Sequence, residues 1–514
     1  MADENVIKFL ITTWGKPWRN FDGKDFHGFF WGEVTYIFER EEHKSRDSLP
    51  ILAKKIKPTK ILILALDSVI SLSLVKPSDI TSLVNIFSSE ICDSMKNIMD
   101  VLRQSAKFPY YDFLEKVRSA YNKFIREELD LKDLLEAERL KVEILPNVGR
   151  FAEGEFRGNP RDIYALSLYY IARHLMEEIV SSTNEGKIMD NVELYIDTSH
   201  GINYLPILVY EALMDVAKLT SYTFKTKIYE INSEPYVGGV TNELRVHRIA
   251  DLNVFPDILW FPDRVDKLRI MRPSAEFDFK SVIPKNKIGA ISRCLDILKD
   301  FIKLDNEKLK GSPRKLIAFL GAFKYGLPLV AFTLKPAAEQ LLSLLDLAVL
   351  IYRAFSVIAS EGEKYTLTHY LNFDSFFDAL VRAYILSSLM EIFELRGGSE
   401  VEIEKIKVLK ARFFEKNRVL DAIISRELGL ELEKFVEERA SIDDFIMLDT
   451  SKEESTKAQE SENGSEQCKI DIRTFFAHAG LMRKTIKVNP KRRLVKYRED
   501  CIDTIVDVIF KAVR

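Results

Sequence analysis

Short, nearly uninterrupted apolar runs occupy residues 6 to 11 (VIKFLI), 60 to 66 (KILILAL), 141 to 145 (KVEIL), 192 to 196 (VELYI) and 224 to 231 (FKTKIYEI), each ending near a polar or Gly/Pro-containing loop. Runs of this kind read as strands of a mostly parallel sheet covered on both faces. Helical patterns lie between them. Residues 161 to 181 place Ile163, Leu166, Leu168, Ile171 and Leu175 at roughly helical spacing behind Asn159-Pro160, a cap followed by a first-turn proline. Residues 204 to 219 predict another helix directly after a strand. The alternation predicts an open, Rossmann-like α/β sheet.

After about residue 255 the extended runs give way to long helical stretches at 288 to 304, 336 to 358 and 374 to 395. The expected fold is therefore α/β plus all-α: an α/β domain over 1–250, a connector over 251–287 carrying Pro256, Pro262, Pro273 and Pro284, and a helical domain over 288–514. Within the last, 450–467 (TSKEESTKAQESENGSEQ) has no apolar side chain larger than alanine. It cannot offset the entropy of ordering itself and is expected to be mobile, as a tolerated insertion or as a gate.

A length of 514 residues agrees with two to three domains. The 78 acids nearly balance 75 Lys plus Arg, for a net charge of −3, which argues against wholesale coating by nucleic acid. RNA would need a local patch such as Arg483 to Lys496 (RKTIKVNPKRRLVK), whose other reading is a solvated charged face. Cys92, Cys294, Cys468 and Cys501 stand far apart and read as isolated thiols in a reducing compartment, not as a zinc ribbon. With neither a signal-peptide pattern nor a stretch of about 20 apolar residues, the expectation is a cytoplasmic protein with no membrane association.

In open α/β sheets ligands lie beyond the carboxyl ends of the strands. The residues there are Thr12, Thr13, Trp14 and Gly15 after the first run, and Asp67 and Ser68 after the second. Pro146 to Arg150 follow the third, and Asp197, Thr198, Ser199, His200, Gly201, Ile202 and Asn203 the fourth. Hydroxyls, a glycine and a helix start in succession aim free backbone N–H groups at a phosphate. His200 can donate or stack, and Trp14 offers a face to a base. Neither G-x-G-x-x-G at the first turn nor a P-loop is present, so dinucleotide dehydrogenases and P-loop NTPases lose their main support.

Near the end, Arg473 and His478 form an R-x-x-x-x-H element. Attack of a ribose 2′-hydroxyl on the adjacent phosphate needs proton transfer, which histidine supplies, and a cation beside the developing charge, which arginine supplies. No metal is required, and no clustered ligand set is visible. Five residues rotate a helix by roughly 140°, so two copies of the chain must meet to build one cleft. A buried or surface histidine is the plainer reading of the bare pattern.

The chain resembles the CARF-HEPN ribonucleases of type III CRISPR systems, the Csx/Csm-type accessory nucleases. The likeness is carried by TTWGKPW (12 to 18), WGEVTYIF (31 to 38), KPTKILILALDS (57 to 68), PNVGRF with EFRGNPRDIY (146 to 164), DTSHGINYLP (197 to 206), GAFKYGLPLVAF (321 to 332) and RTFFAHAGL (473 to 481). It implies an N-terminal CARF domain, paired in a homodimer or larger assembly, that holds a cyclic oligoadenylate, usually cyclic tetra-adenylate, through Thr12, Thr13, Trp14, Gly15, Asp67, Ser68, Thr198, Ser199, His200, Gly201 and Asn203. It also implies a C-terminal helical HEPN domain that cuts single-stranded RNA without a catalytic cofactor, leaving a 2′,3′-cyclic phosphate and a 5′-hydroxyl. Thr474 stands where the family often has a polar amide, which puts that residue's supporting role in doubt. Two other readings are a nucleotide-sensing, RNA-binding regulator that does not cut, and a sensor that degrades its own ring, with Thr13 or Ser199 orienting the 2′-hydroxyl.

Overall fold

The computed structural model describes residues 5–77, 109–184, 186, 189–202, 204–237, 240–257, 270–274, 313–448 and 468–513. The expected helix at 288 to 304, the insertion at 450–467, most of the connector, Asn203, Cys92 and Cys294 lie outside them. By contacts the chain forms two units. The first comprises Met1–Val254, Arg269–Phe301 and Leu342–Val381, and the second Phe255–Leu268, Ile302–Leu341 and Arg382–Arg514.

The first unit is built on an eight-stranded sheet. Its strands are β1 (Val6–Trp14), β2 (Val34–Phe38), β3 (Glu41–Ser45), β4 (Lys60–Leu66), β5 (Leu140–Leu145), β8 (Asn191–Asp197), β9 (Lys225–Ser233) and β10 (Glu243–Val254), in the order β3-β2-β10-β9-β8-β1-β4-β5. From β5 to β9 every pairing is parallel, while β10 runs antiparallel to β9. The apolar run that follows Lys60 in β4 reflects this setting, since those six of its seven residues are buried on a sheet with two covered faces. Helices α1 (Leu49–Ile56), α2 (Pro109–Glu127), α3 (Arg161–Asn184) and α4 (Leu205–Thr220) supply the crossovers. The chain steps from β1 to β4 and β5 on one side, then to β8 and β9 on the other. The switch point between β1 and β8 is where such a sheet opens a crevice.

One departure from the sequence reading concerns residues 342–381, expected in the helical half but packed with the sheet. Helix α5 (Ala338–Ala354) stops short of residue 358, and β12 (Ser356–Glu361) turns through Gly362, at φ +63°, into β13 (Lys364–His369). Strand β13 pairs in parallel with β7 (Gly154–Arg157), which itself pairs with β6 (Gly149–Phe151). Strand β14 (Leu371–Phe373) pairs with β11 (Met271–Pro273) and leads into helix α6 (Ser375–Ile392). The reason is local: β-branched and aromatic residues flank a Glu-Gly-Glu turn, a hairpin signal that the apolar periodicity of α5 masks.

The second unit is mostly helical, with helices Pro313–Tyr325 and Pro328–Thr333 and a run over Ile403–Glu438 that includes α7 (Arg418–Arg426). To this helical region the structure adds a small four-stranded sheet of β15 (Val401–Glu402), β16 (Ile446–Met447), β17 (Ile486–Asn489) and β18 (Leu494–Tyr497), so it is helical as expected but not all-α. Helix α8 (Ile472–Ala477) and helix α9 (Ile502–Ala512) flank that hairpin. A Cβ on Gly321 would sit 2.5 Å from Ile509 Cγ2, so glycine lets the 313–325 helix approach α9 closely.

The expectation of isolated thiols fails for Cys468 and Cys501, which form a disulfide across a separation of 33 residues. Both are buried, one just before α8 and one just before α9, a proximity that sequence spacing conceals. A closed loop of that length restricts the unfolded chain by about 4 kcal/mol in the chain-entropy account. Cys501→Ala should lower the unfolding free energy by about that amount, and reductant should do the same to the wild type but not to the variant. Denaturant melts with and without reductant check this.

Candidate functional site

At the crevice between β1 and β8 the organising group is Asp197, the last residue of β8, which the sequence places at the strand end but not among the expected ring contacts. Its Oδ1 accepts from Ser199 N (3.1 Å) and Ser199 Oγ (2.5 Å), and its Oδ2 from Ser48 Oγ (2.7 Å) and Thr12 Oγ1 (3.4 Å). Thr13 Oγ1 donates to the Asp197 carbonyl oxygen at 3.4 Å. Burial raises the Asp197 pKa against the pull of these bonds.

The same contacts use up much of what the sequence offered to a phosphate. Thr198 N donates to Ile231 O and Gly201 N to Thr198 O, so with Ser199 N three loop amides are already engaged. Gly15 N donates to His200 O at 3.0 Å, joining the loops after β1 and β8. Gly201 is sterically required, since a Cβ there would lie 2.2 Å from Pro206 Cγ and 2.5 Å from Thr13 Oγ1, whereas a Cβ on Gly15, 2.0 Å from Ile202 Cδ1, would need only the exposed Ile202 side chain to swing away.

Thr12, Thr13, Trp14, Gly15, Asp67 and Ser68 are buried, whereas Thr198, Ser199, His200 and Gly201 reach the surface in part. Trp14 does not offer a face to a base. It lies in the core, 5.7 Å from Trp31 and 5.9 Å from Tyr121 by ring centroid, where a large apolar ring gains most from burial. Asp67 also faces inward, accepting from Tyr110 Oη (3.0 Å) and Asn147 N (2.9 Å), with His369 Nε2 3.8 Å away. Burial pushes Asp67 up to about 8 and His369 down to about 3, leaving both groups neutral. These residues hold the strand ends in place beneath the more exposed β8 loop.

His200 stacks on Trp31 at 4.2 Å, with Nε2 3.2 Å from Tyr36 Oη and 3.4 Å from Asp47 Oδ2. Burial pushes its pKa down to about 3, so the folded protein keeps it neutral where the unfolded chain, titrating near 6.5, takes up a proton. A base depressed in this way withdraws stability as pH falls from about 6.5 towards 3. Between pH 7.5 and 5.5 the wild type should lose about 1.4 kcal/mol more than His200→Gln, since Asp47 and its raised pKa are common to both. Urea unfolding at the two pH values measures it, and equal losses would place the ring in water.

In the second unit, Asp471 caps α8, its Oδ1 accepting from Thr474 N (2.7 Å) and Thr474 Oγ1 (2.6 Å). The Thr474 hydroxyl is thus spent on the cap. Helix α8 ends at Ala477, and His478 is its C-cap at φ −105°, ψ 25°, so the rotation of a continuous helix does not carry through to it. Ala479 and Gly480 then take left-handed φ values of 50° and 74°, turning the chain sharply behind the histidine. Arg473 is exposed.

The sequence reading missed the histidine's partner. His478 Nδ1 lies 2.9 Å from Glu427 Oε2, and the Glu427 side chain is 2% exposed against 42% for the imidazole. Arg426 fixes the glutamate from the other side through Nε (2.9 Å) and Nη2 (2.7 Å) to Oε1, and Nη2 also donates to Ala477 O at 2.9 Å. Glu427 opens a π turn (Glu427–Glu433) directly after α7, a widening often found at functional sites. With Nδ1–H donating to the carboxylate, Nε2 keeps its lone pair for a substrate proton.

The basic stretch from Arg483 to Lys496 is largely neutralised at home. Arg483 pairs with Glu431, Lys491 and Arg492 with Asp443, Arg493 with Glu404 and Glu433, and Lys496 with Glu400. This favours the solvated-face reading over a dedicated RNA patch. Among the described residues no group of three or more His, Cys, Asp or Glu side chains is arranged to hold a metal ion, and no helix is long and apolar enough to cross a membrane.

Comparison with known proteins agrees with this division. A family model for the CARF domain of the CRISPR system endoribonuclease Csx1 matches residues 9–235, and one for the HEPN domain of the same protein matches residues 417–499. The second stretch contains Arg426, Glu427, Arg473 and His478. Over 492 residues, 94% of this chain and 86% of the relative, the sequence is 25% identical to the CRISPR system endoribonuclease Csx1 of Methanocaldococcus jannaschii.

Proposed function

Because the chain belongs to the Csx1 family of CRISPR-system endoribonucleases, with an N-terminal CARF domain and a C-terminal region that contains a HEPN domain, we propose that it cuts single-stranded RNA without a metal ion when a cyclic oligoadenylate occupies the CARF loops. Cyclic tetra-adenylate is the expected ring, and a cytoplasmic homodimer or larger assembly the working form. The loop Thr198 to Gly201 and the neighbouring Ile202 supply the more exposed contacts. The buried Thr12, Thr13, Gly15, Asp67 and Ser68 set their positions.

The observation that carries the nuclease reading is the ordered Arg426–Glu427–His478 chain, with an exposed Arg473 on the short helix that His478 caps. His478 Nε2 takes the proton of the ribose 2′-hydroxyl as O2′ bonds to phosphorus and the P–O5′ bond breaks. Arg473 stabilises the charge that gathers on the phosphoryl oxygens. The departing 5′-oxygen needs a proton of its own, and a second His478 from a paired chain supplies it. The products are a 2′,3′-cyclic phosphate and a 5′-hydroxyl, with atoms and protons balanced.

Labelled single-stranded RNA, purified protein, EDTA, and rings of four or six adenylates test the proposal together. Cutting is expected with the four-membered ring and chelator present. RNA that is shifted but never cut would favour a binding regulator instead.

A further inference from the structure

A cavity of about 510 Å³ opens beside the edge strand β5, lined from α2, α3, α5 and the start of β4. Lys60 begins β4 and Asp67 follows its last residue, so the Lys60 side of the cavity is separated from the Asp67 loop by the strand's length, roughly 20 Å. The proposed ring has no part in it.

Most of its charges satisfy one another. Arg173 binds Glu177 (3.0 Å) and Asp346 (2.8 Å), Lys141 binds Glu138 (3.3 Å), and Arg118 lies 3.8 Å from Glu143. His174 is wedged between Glu143 (3.1 Å) and Glu177 (3.2 Å). Burial opposes its charge, but the bonds to the two glutamates outweigh that and raise its pKa.

Two lining cations are left over. Arg353 donates to the Tyr170 hydroxyl, and neither it nor Lys60 has a carboxylate within 4.0 Å among the described residues. The guanidinium carbon of Arg353 also lies 6.0 Å from the Tyr111 ring. A partly buried arginine that, among the described residues, hydrogen-bonds a phenol and feels Glu143 only from beyond 4.0 Å has anion-binding capacity in reserve.

We propose that this cavity is a second ligand site, for a mononucleotide. Arg353 and Lys60 would bind the dianionic phosphate monoester, and the Tyr111 and Tyr170 rings beside Arg353 would receive the base or sugar. The volume suits one such ligand rather than a polynucleotide, and two unmatched cations fit a dianion better than a singly charged diester.

Calorimetric titration of the full chain with AMP, with inorganic phosphate and adenosine as separate arms, tests this. AMP should bind once per chain, phosphate at least tenfold more weakly, and adenosine not measurably. Lys60→Glu, at the first residue of β4, and Arg353→Met should each weaken AMP at least tenfold, while Gly201→Ala in the CARF loop leaves it unchanged. Absence of AMP binding, equal binding of phosphate and AMP, or wild-type affinity in Lys60→Glu would overturn the assignment. So would competition between AMP and cyclic tetra-adenylate, which would move the ligand to the CARF loops without touching the nuclease reading.

Discussion

His478→Ala is expected to lower ring-activated RNA cleavage by at least about a thousandfold, the scale of losing a general base, with ring binding unchanged. Arg473→Ala should cost about a hundredfold or more through transition-state charge. The sharper variant is Glu427→Gln, which keeps the size of the side chain and removes the charge that orders the imidazole. Losing the carboxylate that fixes the tautomer of a general-base histidine should cost about a hundredfold or more. The loss should fall on kcat and spare KM, because Glu427 is buried behind the histidine and touches no substrate. Single-turnover cleavage of a labelled RNA separates the two constants. If all three variants melt far below the wild type, Arg473 and His478 serve the fold and not the reaction. A Glu427→Gln protein cutting at the wild-type rate would remove the relay.

Gly201→Ala carries the second large effect. The added methyl has no room, with Pro206 Cγ and Thr13 Oγ1 both closer than van der Waals contact, so the loop must lift from the β1 end. Activation by the ring should disappear and ring affinity fall by about a hundredfold or more, the equivalent of about 3 kcal/mol. Filter binding of labelled ring and a cleavage titration measure the two effects separately. Unaltered activation would show that this loop is not the sensor.

Much of the architecture was legible because burial on both faces leaves a plain trace. The runs at 60 to 66 and 192 to 196 contain the apolar positions of β4 and β8, and the helix after Asn159-Pro160 begins at Arg161. The β12–β13 hairpin was hidden because the apolar pattern of α5, which ends at Ala354, runs on through Phe355, Val357 and Ile358 into the next strand. At the sites, the types of residue were readable but their directions were not. Trp14 follows the same polar logic as its neighbours in sequence, yet the cluster of Trp31, Tyr121 and Phe124 draws it inward. Asp197 was visible as the carboxylate that ends a strand just before small hydroxyl residues, but its turn inward to gather Thr12, Ser48 and Ser199 was not. Glu427 left no such sign: it is 51 residues from His478, and a single glutamate in a charged helix has nothing to mark it. The disulfide was equally invisible, since two cysteines 33 residues apart have no spacing rule to obey.

Residues 342–381 rejoin the first unit after the chain has left it, and this has a practical edge. A gene fragment stopped at residue 254 looks like a whole sensor on paper, yet it encodes a sheet with an open seam. Strand β7 loses the neighbour that Thr366 to Thr368 provide, the Asp67 carboxyl loses the imidazole packed 3.8 Å away, and Asp162 is left without Asn372 and the Phe373 amide. Anyone wishing to study ring recognition apart from RNA cutting does better to disarm His478 in the intact chain than to reach for scissors.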